Sequence, residues 1–120
     1  MTRDMELIRE ILIAIEKEFS DPRAVITLEI PGYDPEYVSY HVMLLNEAKL
    51  INARDRNIDQ IFLWQPTSLT WEGHEFLDAA RNDSTWNKAM TKIKGQAASA
   101  PFEVVKAVVI QTCKEMFGVG

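Results

Sequence analysis

The chain has 120 residues, a length that suits one domain. Its 47% hydrophobic and 26% charged residues are usual for a globular protein with a core of its own. The net charge of −5 is unevenly distributed, because residues 1–83 hold 8 Lys and Arg against 16 Asp and Glu, a balance of −8, whereas residues 84–120 hold 5 Lys against 2 Glu, a balance of +3. This pattern argues against an even basic coat that binds nucleic acid non-specifically.

Several classes of protein are disfavoured by simple counts. No apolar run approaches the about 18 residues that a membrane span needs, and the N-terminal MTRDMELIRE lacks the apolar stretch of a signal peptide. We therefore expect a cytoplasmic protein with no membrane partner. A single cysteine, Cys113, cannot form an internal disulfide, and two histidines in separate elements predict no metal site. The chain has no phosphate-binding Gly-rich loop and no nucleophile elbow, so we interpret it as a non-enzyme without cofactors.

The first third of the chain predicts a helix and then a strand. Residues 4–19 are typical of an amphipathic helix, with Ile13 off the apolar stripe and available to a partner. The stripe itself comprises Met5, Ile8, Ile11, Leu12, Ile15 and Phe19. The alternating, β-branched segment AVITLEI at 24–30 predicts a short strand that Pro31-Gly32 closes.

The middle of the chain predicts a second helix followed by a β-hairpin. Asp34-Pro35 has the form of a helix start, a capping carboxylate followed by proline. The apolar face of this helix holds Val38, Val42, Leu45 and Ala48, with Tyr37, His41 and Leu44 beside it. Leu50-Ile51 then leads into one strand, and residues 61–65 predict a return strand that stops at Pro66.

The last third predicts three helical pieces. Thr70 caps a helix that runs to about Arg81, residues 82–84 break and re-cap it, and a second piece runs over 86–94. Residues 95–100 are a small-residue linker, and Pro101 opens a final helix whose wide apolar arc is either clasped between elements or shared with a second copy. We expect residues 1–94 to form the core and residues 95–120 to add a linker and a dimerisation helix to the same domain.

This order of elements resembles a winged helix-turn-helix domain with a β-hairpin wing and extra C-terminal helices, an α+β fold. VSYHVMLLNEAKLI resembles the third helix and exit strand of winged-helix regulators, and LTWEGHEFL resembles the segment after the wing, where Gly73 lets the next helix lie close. The sequence departs from the pattern at residues 24–33, which predict a strand and turn where such modules have a second helix.

A more specific resemblance covers nearly the whole chain. The run from Gly73 to Trp86, of the form GHxFLDxxRxDxxW, is similar to a bacterial and phage family catalogued only as a domain of unknown function. The resemblance implies membership of that family but transfers no activity. We interpret its marker residues as structural, namely Gly73, His74, Asp78, Arg81 and Trp86.

Two clusters allow a chemical reading beside a structural one. His74, Asp78 and Arg81 project to one side of a helix, which suits either a histidine base oriented by a carboxylate or a hydrogen-bond chain that pins this helix to the hairpin or to the final helix. The sequence offers no convincing nucleophile, which favours the hydrogen-bond chain. Trp64, Trp71 and Trp86 suit either a base-stacking platform or, more commonly, the edges of a core.

Two functions of different class remain. As a DNA-binding regulator, and as a homodimer through its C-terminal helix, the protein would touch DNA through the second helix and the wing, using Ser39, Tyr40, His41, Asn46, Arg54 and Arg56. Charge weakens this reading, because the helix is acidic and Asp55 and Asp59 offset the wing arginines. As a protein-interaction module, it would dock its acidic helix face or its apolar C-terminal helix onto a host protein, as a phage-encoded modulator or inhibitor does.

Overall fold

A computed structural model of the protein describes residues 1–118 as a mixed α+β, winged-helix-like domain of five helices and one two-stranded antiparallel hairpin. The elements, in chain order, are α1 (Met5–Glu18), α2 (Pro35–Glu47), β1 (Ile51–Asp55), β2 (Trp64–Leu69), α3 (Trp71–Ala80), α4 (Asp83–Ile93) and α5 (Phe102–Met116). Within these residues, every helix is too short or too polar to cross a membrane.

Helix α1 lies at the centre of the core. Asp4 caps it by accepting a hydrogen bond from the Leu7 amide at 3.1 Å. The predicted stripe is buried from Met5 to Ile15, and Leu7 joins it with no exposed surface. Phe19 is an exception, because it lies just past the helix and is 45% exposed.

The predicted strand at 24–30 is wrong in part: the segment is extended but forms no regular strand. It runs beside β2, where the Ile26 amide donates to the Pro66 carbonyl at 2.8 Å. Pro66 has no N–H to donate in return, and Thr67 is displaced in a bulge, so the ladder cannot propagate. This segment therefore occupies the position of an edge strand with a single backbone hydrogen bond.

Helix α2 begins where the sequence predicts, with the Asp34 carboxylate accepting from the Glu36 amide at 2.8 Å and Pro35 in the first turn. Val38, Val42 and Leu45 are buried, but Ala48 lies past the helix and is exposed. Between α1 and α2 the chain contains only turns and extended backbone. The domain therefore has the wing of a winged helix without the separate second helix of a helix-turn-helix.

The hairpin is longer than predicted, because β2 continues through Pro66 to Leu69. A bulge makes this possible: Asn52 pairs with Ser68 and Ala53 with Pro66, which leaves Thr67 as the extra residue on β2. The hydroxyl of Thr67 donates to the Asn52 carbonyl at 3.1 Å, so the bulged residue is still tied to β1. A two-stranded sheet has only edge strands, where a proline is tolerated.

Helix α3 packs tightly on the base of the hairpin, as the resemblance predicts. Thr70 caps it through the Gly73 amide at 3.1 Å and donates its hydroxyl to the Lys49 carbonyl at 2.7 Å. A Cβ on Gly73 would lie 1.9 Å from the Leu50 carbonyl oxygen. Only glycine therefore permits this approach of helix to backbone.

The last two helices form a layer against α3. Asn82 re-caps the chain by accepting from the Thr85 amide at 3.0 Å, so α4 begins three residues earlier than predicted. Helix α5 buries only part of the predicted arc, since Val105 and Val109 are core residues whereas Met116 and Phe117 are 46% and 79% exposed.

Candidate nucleic-acid interface

Two of the predicted DNA-contacting residues of α2 lie in the interior. Ser39 is 3% exposed, and its hydroxyl accepts from the Trp64 amide at 3.2 Å. His41 has no exposed surface; its Nε2 accepts from the Asp4 amide at 2.8 Å, and its Nδ1 donates to the Tyr37 carbonyl at 2.9 Å. Burial therefore corrects the expectation for both residues, because neither side chain has surface to offer to a base edge.

The other two residues predicted on α2 are also engaged within the fold. The side-chain oxygen of Asn46 accepts from the Ala53 amide at 3.0 Å, which joins the end of α2 to β1. Tyr40 is half-buried, and its hydroxyl donates to the Met1 carbonyl at 3.3 Å. Both residues thus have structural partners, and both are half-buried.

The solvent-facing side of α2 is acidic and apolar. Glu36 and Glu47 are exposed at its two ends, and Met43 and Leu44 are half-buried between them. The helix from Pro35 to Glu47 contains no Lys or Arg. A helix that lies in a DNA groove needs cations against the phosphates, so α2 is poorly suited to lie in one.

The two arginines of the hairpin are exposed and lie on one face of it. Arg54 pairs with Gln65 in the ladder, and the Arg56 amide donates to the Leu63 carbonyl at 2.9 Å. Since successive residues of a strand alternate between faces, Arg54 and Arg56 project to the same side, together with their cross-strand neighbours. We call the side of the hairpin that carries Arg54, Arg56, Leu63 and Gln65 the wing outer face.

The acidic residues of the hairpin offset these arginines less than the sequence suggests. Asp55 alternates to the opposite face, where it pairs with Trp64, and its carboxylate accepts from the Asn57 amide at 3.0 Å. Asp59 lies in the loop at the tip, with a φ of 53°. Within residues 1–118, the ion pairs of the protein involve neither Arg54 nor Arg56. Both guanidinium groups are thus available to an anion.

His74 lies at a small cleft whose lining includes a histidine, a serine and a carboxylate, the residue types of many hydrolase active sites. The cleft, of about 320 Å³, also includes Ser68 and Glu16 in its lining. The Ser68 hydroxyl accepts from the Asn52 amide group at 3.1 Å. Within residues 1–118, His74 and Ser68 line the same cleft without a hydrogen bond between them.

Arg81 connects α3 to α1. The expectation that the cluster of His74, Asp78 and Arg81 pins α3 to the hairpin or to α5 is therefore wrong as to the element contacted. The Arg81 guanidinium donates to both oxygens of Glu16 at 3.0 and 2.8 Å and to Asp78 at 3.0 Å, whereas we expected contact with the hairpin or with α5. These hydrogen bonds hold the pKa of the Glu16 carboxyl below its usual value. The arrangement is a surface ion pair that fixes one helix on another.

Trp86 performs a similar task in the interior. It is 2% exposed, its indole N–H donates to the Glu6 carboxylate at 2.7 Å, and the Arg9 guanidinium lies 5.1 Å from its ring centroid. Trp71, by contrast, is 75% exposed, and Trp64 is half-buried beside α2. The three tryptophans lie in different surroundings and form no common stacking platform.

The wing outer face is the cationic surface that the sequence only partly predicted. The arginines were recognised, but their shared face, and the displacement of Asp55 from it, follow from a register that a bulge sets. The signal in the sequence was the alternation of residues 54, 56 and 58. Groups of three or more His, Cys, Asp or Glu that could hold a metal ion do not occur among residues 1–118.

The fold and this surface define a winged-helix-like α+β domain whose hairpin carries two exposed arginines on one face. The chain belongs to the family described as Hypothetical protein (DUF2513), whose model matches residues 2–99. It is similar to an uncharacterized protein of Haemophilus influenzae, with 37% identity over 108 residues that cover 90% of this chain and 92% of the relative. No solved structure matches the chain. The sequence predicted membership of a family without an assigned activity, and this is confirmed. That the family also occurs in phages, and that the run from Gly73 to Trp86 is its signature, remain predictions.

Proposed function

We propose that the protein is a non-enzymatic, cytoplasmic DNA-binding module of the transcription-regulatory kind, and that it contacts duplex DNA through the wing outer face. The observation that carries this proposal is the pair of exposed arginines, Arg54 and Arg56, which lie on one face of the hairpin and form no ion pair within residues 1–118. Guanidinium groups bind phosphate oxygens with two parallel hydrogen bonds. In this proposal, α2 supports the hairpin from behind and does not enter a groove.

The dimensions of the hairpin are compatible with this role. Neighbouring strands lie about 4.8 Å apart, and a two-stranded ribbon with its side chains fits a major groove of about 12 Å, whereas it enters a minor groove of about 6 Å only where the duplex is bent and the groove widened. Gln65, opposite Arg54, is a residue type that reads adenine, although part of its side chain is held by a 3.3 Å hydrogen bond to Thr27. Two arginines per chain predict weak binding, with a slope of log affinity against log salt of about −2 per chain.

The test is binding to a labelled random duplex of about 30 base pairs, measured by fluorescence anisotropy at several salt concentrations. The protein should bind at about 50 mM salt and weaken markedly by about 200 mM, because phosphate contacts release counterions. Arg54→Ala with Arg56→Ala should abolish most of the binding and reduce the slope of log affinity against log salt by about 2.

A matched variant separates the wing from general charge effects. Lys17→Ala with Arg23→Ala removes two exposed cations from α1 and the turn that follows it, outside the hairpin and α5, and should change the affinity little. Equal loss in both double variants would mean that the wing has no special role. No binding by the unaltered protein at low salt would refute the proposal altogether.

The proposed DNA-bound form is a homodimer through α5. Met116 and Phe117 are 46% and 79% exposed at the end of this helix, beside a cleft of about 560 Å³. A two-fold pair would double the phosphate contacts of a chain that has only two wing arginines. Light scattering after size-exclusion chromatography should give the mass of a dimer, and Phe117→Ser should shift it toward that of a monomer; a monomeric unaltered protein would contradict this part of the proposal.

A protein partner is the second candidate, and the surface of α2 favours it. The exposed side of this helix presents Glu36 and Glu47 around half-buried Met43 and Leu44, a combination that repels DNA and suits a host protein with a basic rim. Leu44→Arg would block such a contact while leaving the wing unchanged. Loss of function with retained DNA binding in this variant would favour the protein partner.

A further inference from the structure

The tip of the hairpin carries two isoleucines at its most projecting point. Ile58 and Ile61 are 63% and 65% exposed and flank the two-residue loop Asp59-Gln60. Their isolated bridge has the same register as the pair Arg54 and Gln65, although the ladder itself ends at Asp55 and Trp64. Counted from Arg54 and Arg56 at alternate residues, Ile58 and its partner Ile61 fall on the side of the wing outer face, directly beyond the two arginines.

This tip is held in a defined shape. The Ile58 and Ile61 amides each donate to the carbonyl of the other residue, at 3.3 and 2.9 Å. The side chain of Asn57 accepts from the Leu63 amide at 2.6 Å and ties the two arms together one step further down. Two β-branched side chains on such a turn have few rotamers to lose when they bind. They form a preorganised apolar pair rather than a mobile loop.

We propose that Ile58 and Ile61 form a wedge that inserts between base pairs of duplex DNA and kinks it. The inference rests on the proposed function, because the neighbouring arginines select the partner. Because Arg54 and Arg56 are complementary in charge to phosphates, the partner that the tip contacts is expected to be a polyanion such as duplex DNA. Apolar side chains of this kind, flanked by cations, unstack a base step from the minor groove and bend the duplex.

The wedge gives the protein a sequence preference without contacts to base edges. Pyrimidine–purine steps such as TA unstack most easily, whereas A-tracts are stiff. The protein should therefore favour duplexes with a central TA step over duplexes with an A-tract of equal length. This explains how a surface with few side chains suited to reading bases discriminates between sites.

The experiment uses the full chain and 30-base-pair duplexes with a fluorescent donor and acceptor at the two ends. Binding of the unaltered protein to the TA duplex should raise energy transfer, because a kink brings the ends together. Ile58→Ser with Ile61→Ser should still bind, with the salt dependence of the arginine contacts, but without the rise in energy transfer. The affinity ratio between TA and A-tract duplexes should fall on the order of tenfold, a factor that corresponds to about 1.4 kcal/mol.

Ile13→Ser is the matched control, since Ile13 is also an exposed isoleucine, at 40%, but lies on α1. It should keep both the kink and the preference. The wedge is refuted, with the proposed function intact, if the unaltered protein binds DNA without a change in energy transfer, or if the serine double variant kinks it equally. Loss of dimerisation in the serine variant, seen by light scattering, would instead assign the tip to a second copy. Absence of DNA binding by the unaltered protein would refute the proposed function itself.

Discussion

Gly73 is the residue on which the packing of α3 most directly depends. A Cβ on Gly73 would lie 1.9 Å from the Leu50 carbonyl oxygen, so there is no room for a side chain. That carbonyl also accepts a hydrogen bond from the Thr70 amide at 3.0 Å. We predict that Gly73→Ala lowers the free energy of unfolding by about 2 kcal/mol, because overpacking against backbone outweighs the gain of up to about 1 kcal/mol in helix propensity. Urea unfolding followed by circular dichroism measures the change.

The neighbouring Glu75→Ala serves as a control for this substitution. Glu75 is exposed on the same helix, so its replacement should change the free energy of unfolding by less than about 0.5 kcal/mol. Equal midpoints for Gly73→Ala and the unaltered protein would show that α3 does not lie against Leu50 in solution.

His41 makes the stability of the fold depend on pH. Burial lowers the pKa of its imidazole from the ordinary value of 6.5, and the nearby Arg3 acts in the same direction, while the Tyr37 carbonyl and the Asp4 carboxylate oppose it. In the neutral ring, Nε2 accepts the Asp4 amide at 2.8 Å; a protonated Nε2 would instead direct a second N–H at that donor. The folded state therefore requires the neutral ring.

The sign of the effect follows from this lowered pKa. Below pH 6.5 the unfolded chain binds a proton that the folded chain does not, so the contribution of His41 is complete above pH 6.5 and is lost as the pH falls toward the folded pKa. We predict that urea midpoints fall between pH 7.5 and pH 5.5, and that His41→Gln, although less stable, loses most of this dependence. The exposed His74 is the control: if His74→Gln removes the pH dependence and His41→Gln does not, the assignment is wrong.

At the scale of elements, Trp86 is the anchor between α4 and α1. Its indole N–H reaches the Glu6 carboxylate at 2.7 Å while its ring is buried against Arg9. Trp86→Phe keeps an aromatic ring but removes the donor and part of the volume, so we predict a loss of about 2 kcal/mol in the free energy of unfolding. Chemical denaturation measures it.

Trp71→Phe is the matching substitution at the surface. Trp71 is 75% exposed at the start of α3, and we expect a change within about 0.5 kcal/mol. A comparable loss from both substitutions would mean that α4 is not anchored through Trp86.

The elements that the sequence predicted well are those whose signals are local. Asp34 and Thr70 each cap the helix that follows, because the capping hydrogen bond joins residues two or three apart. The structure of residues 24–30 and the end of β2 both depend on pairing between distant residues. The missing N–H of Pro66 and the bulge at Thr67 determine where that pairing stops. The alternation of apolar and polar residues within either segment carries no information about this pairing.

The candidate site shows the same division. Exposure of Arg54 and Arg56 was predictable from a polar, turn-prone segment. The burial of Ser39 and His41 was not, because it depends on the Trp64 and Asp4 amides, which come from other elements. A hint existed in the spacing, since His41 lies three residues after Val38 and four before Leu45, at the edge of the apolar stripe.

For the whole molecule, charge decides how closely DNA can approach. Residues 1–83, which include the wing, have a charge balance of −8, and two of their carboxylates, Glu36 and Glu47, are exposed at the ends of the helix that supports the hairpin. A duplex held by the wing outer face therefore experiences repulsion from the body of the protein as well as attraction by the arginines. The range of this repulsion is about 30 Å at 0.01 M salt and about 10 Å at 0.1 M.

We predict that Glu36→Gln with Glu47→Gln strengthens DNA binding several-fold at low salt and much less near 0.2 M, because screening already suppresses the repulsion there. Fluorescence anisotropy with the random duplex measures both conditions. Glu18→Gln with Glu103→Gln removes the same charge from α1 and α5 and should have a smaller effect, since neither residue lies on the element that supports the hairpin. If the two double variants strengthen binding equally, only net charge matters, and DNA does not approach from the side on which α2 and the wing meet.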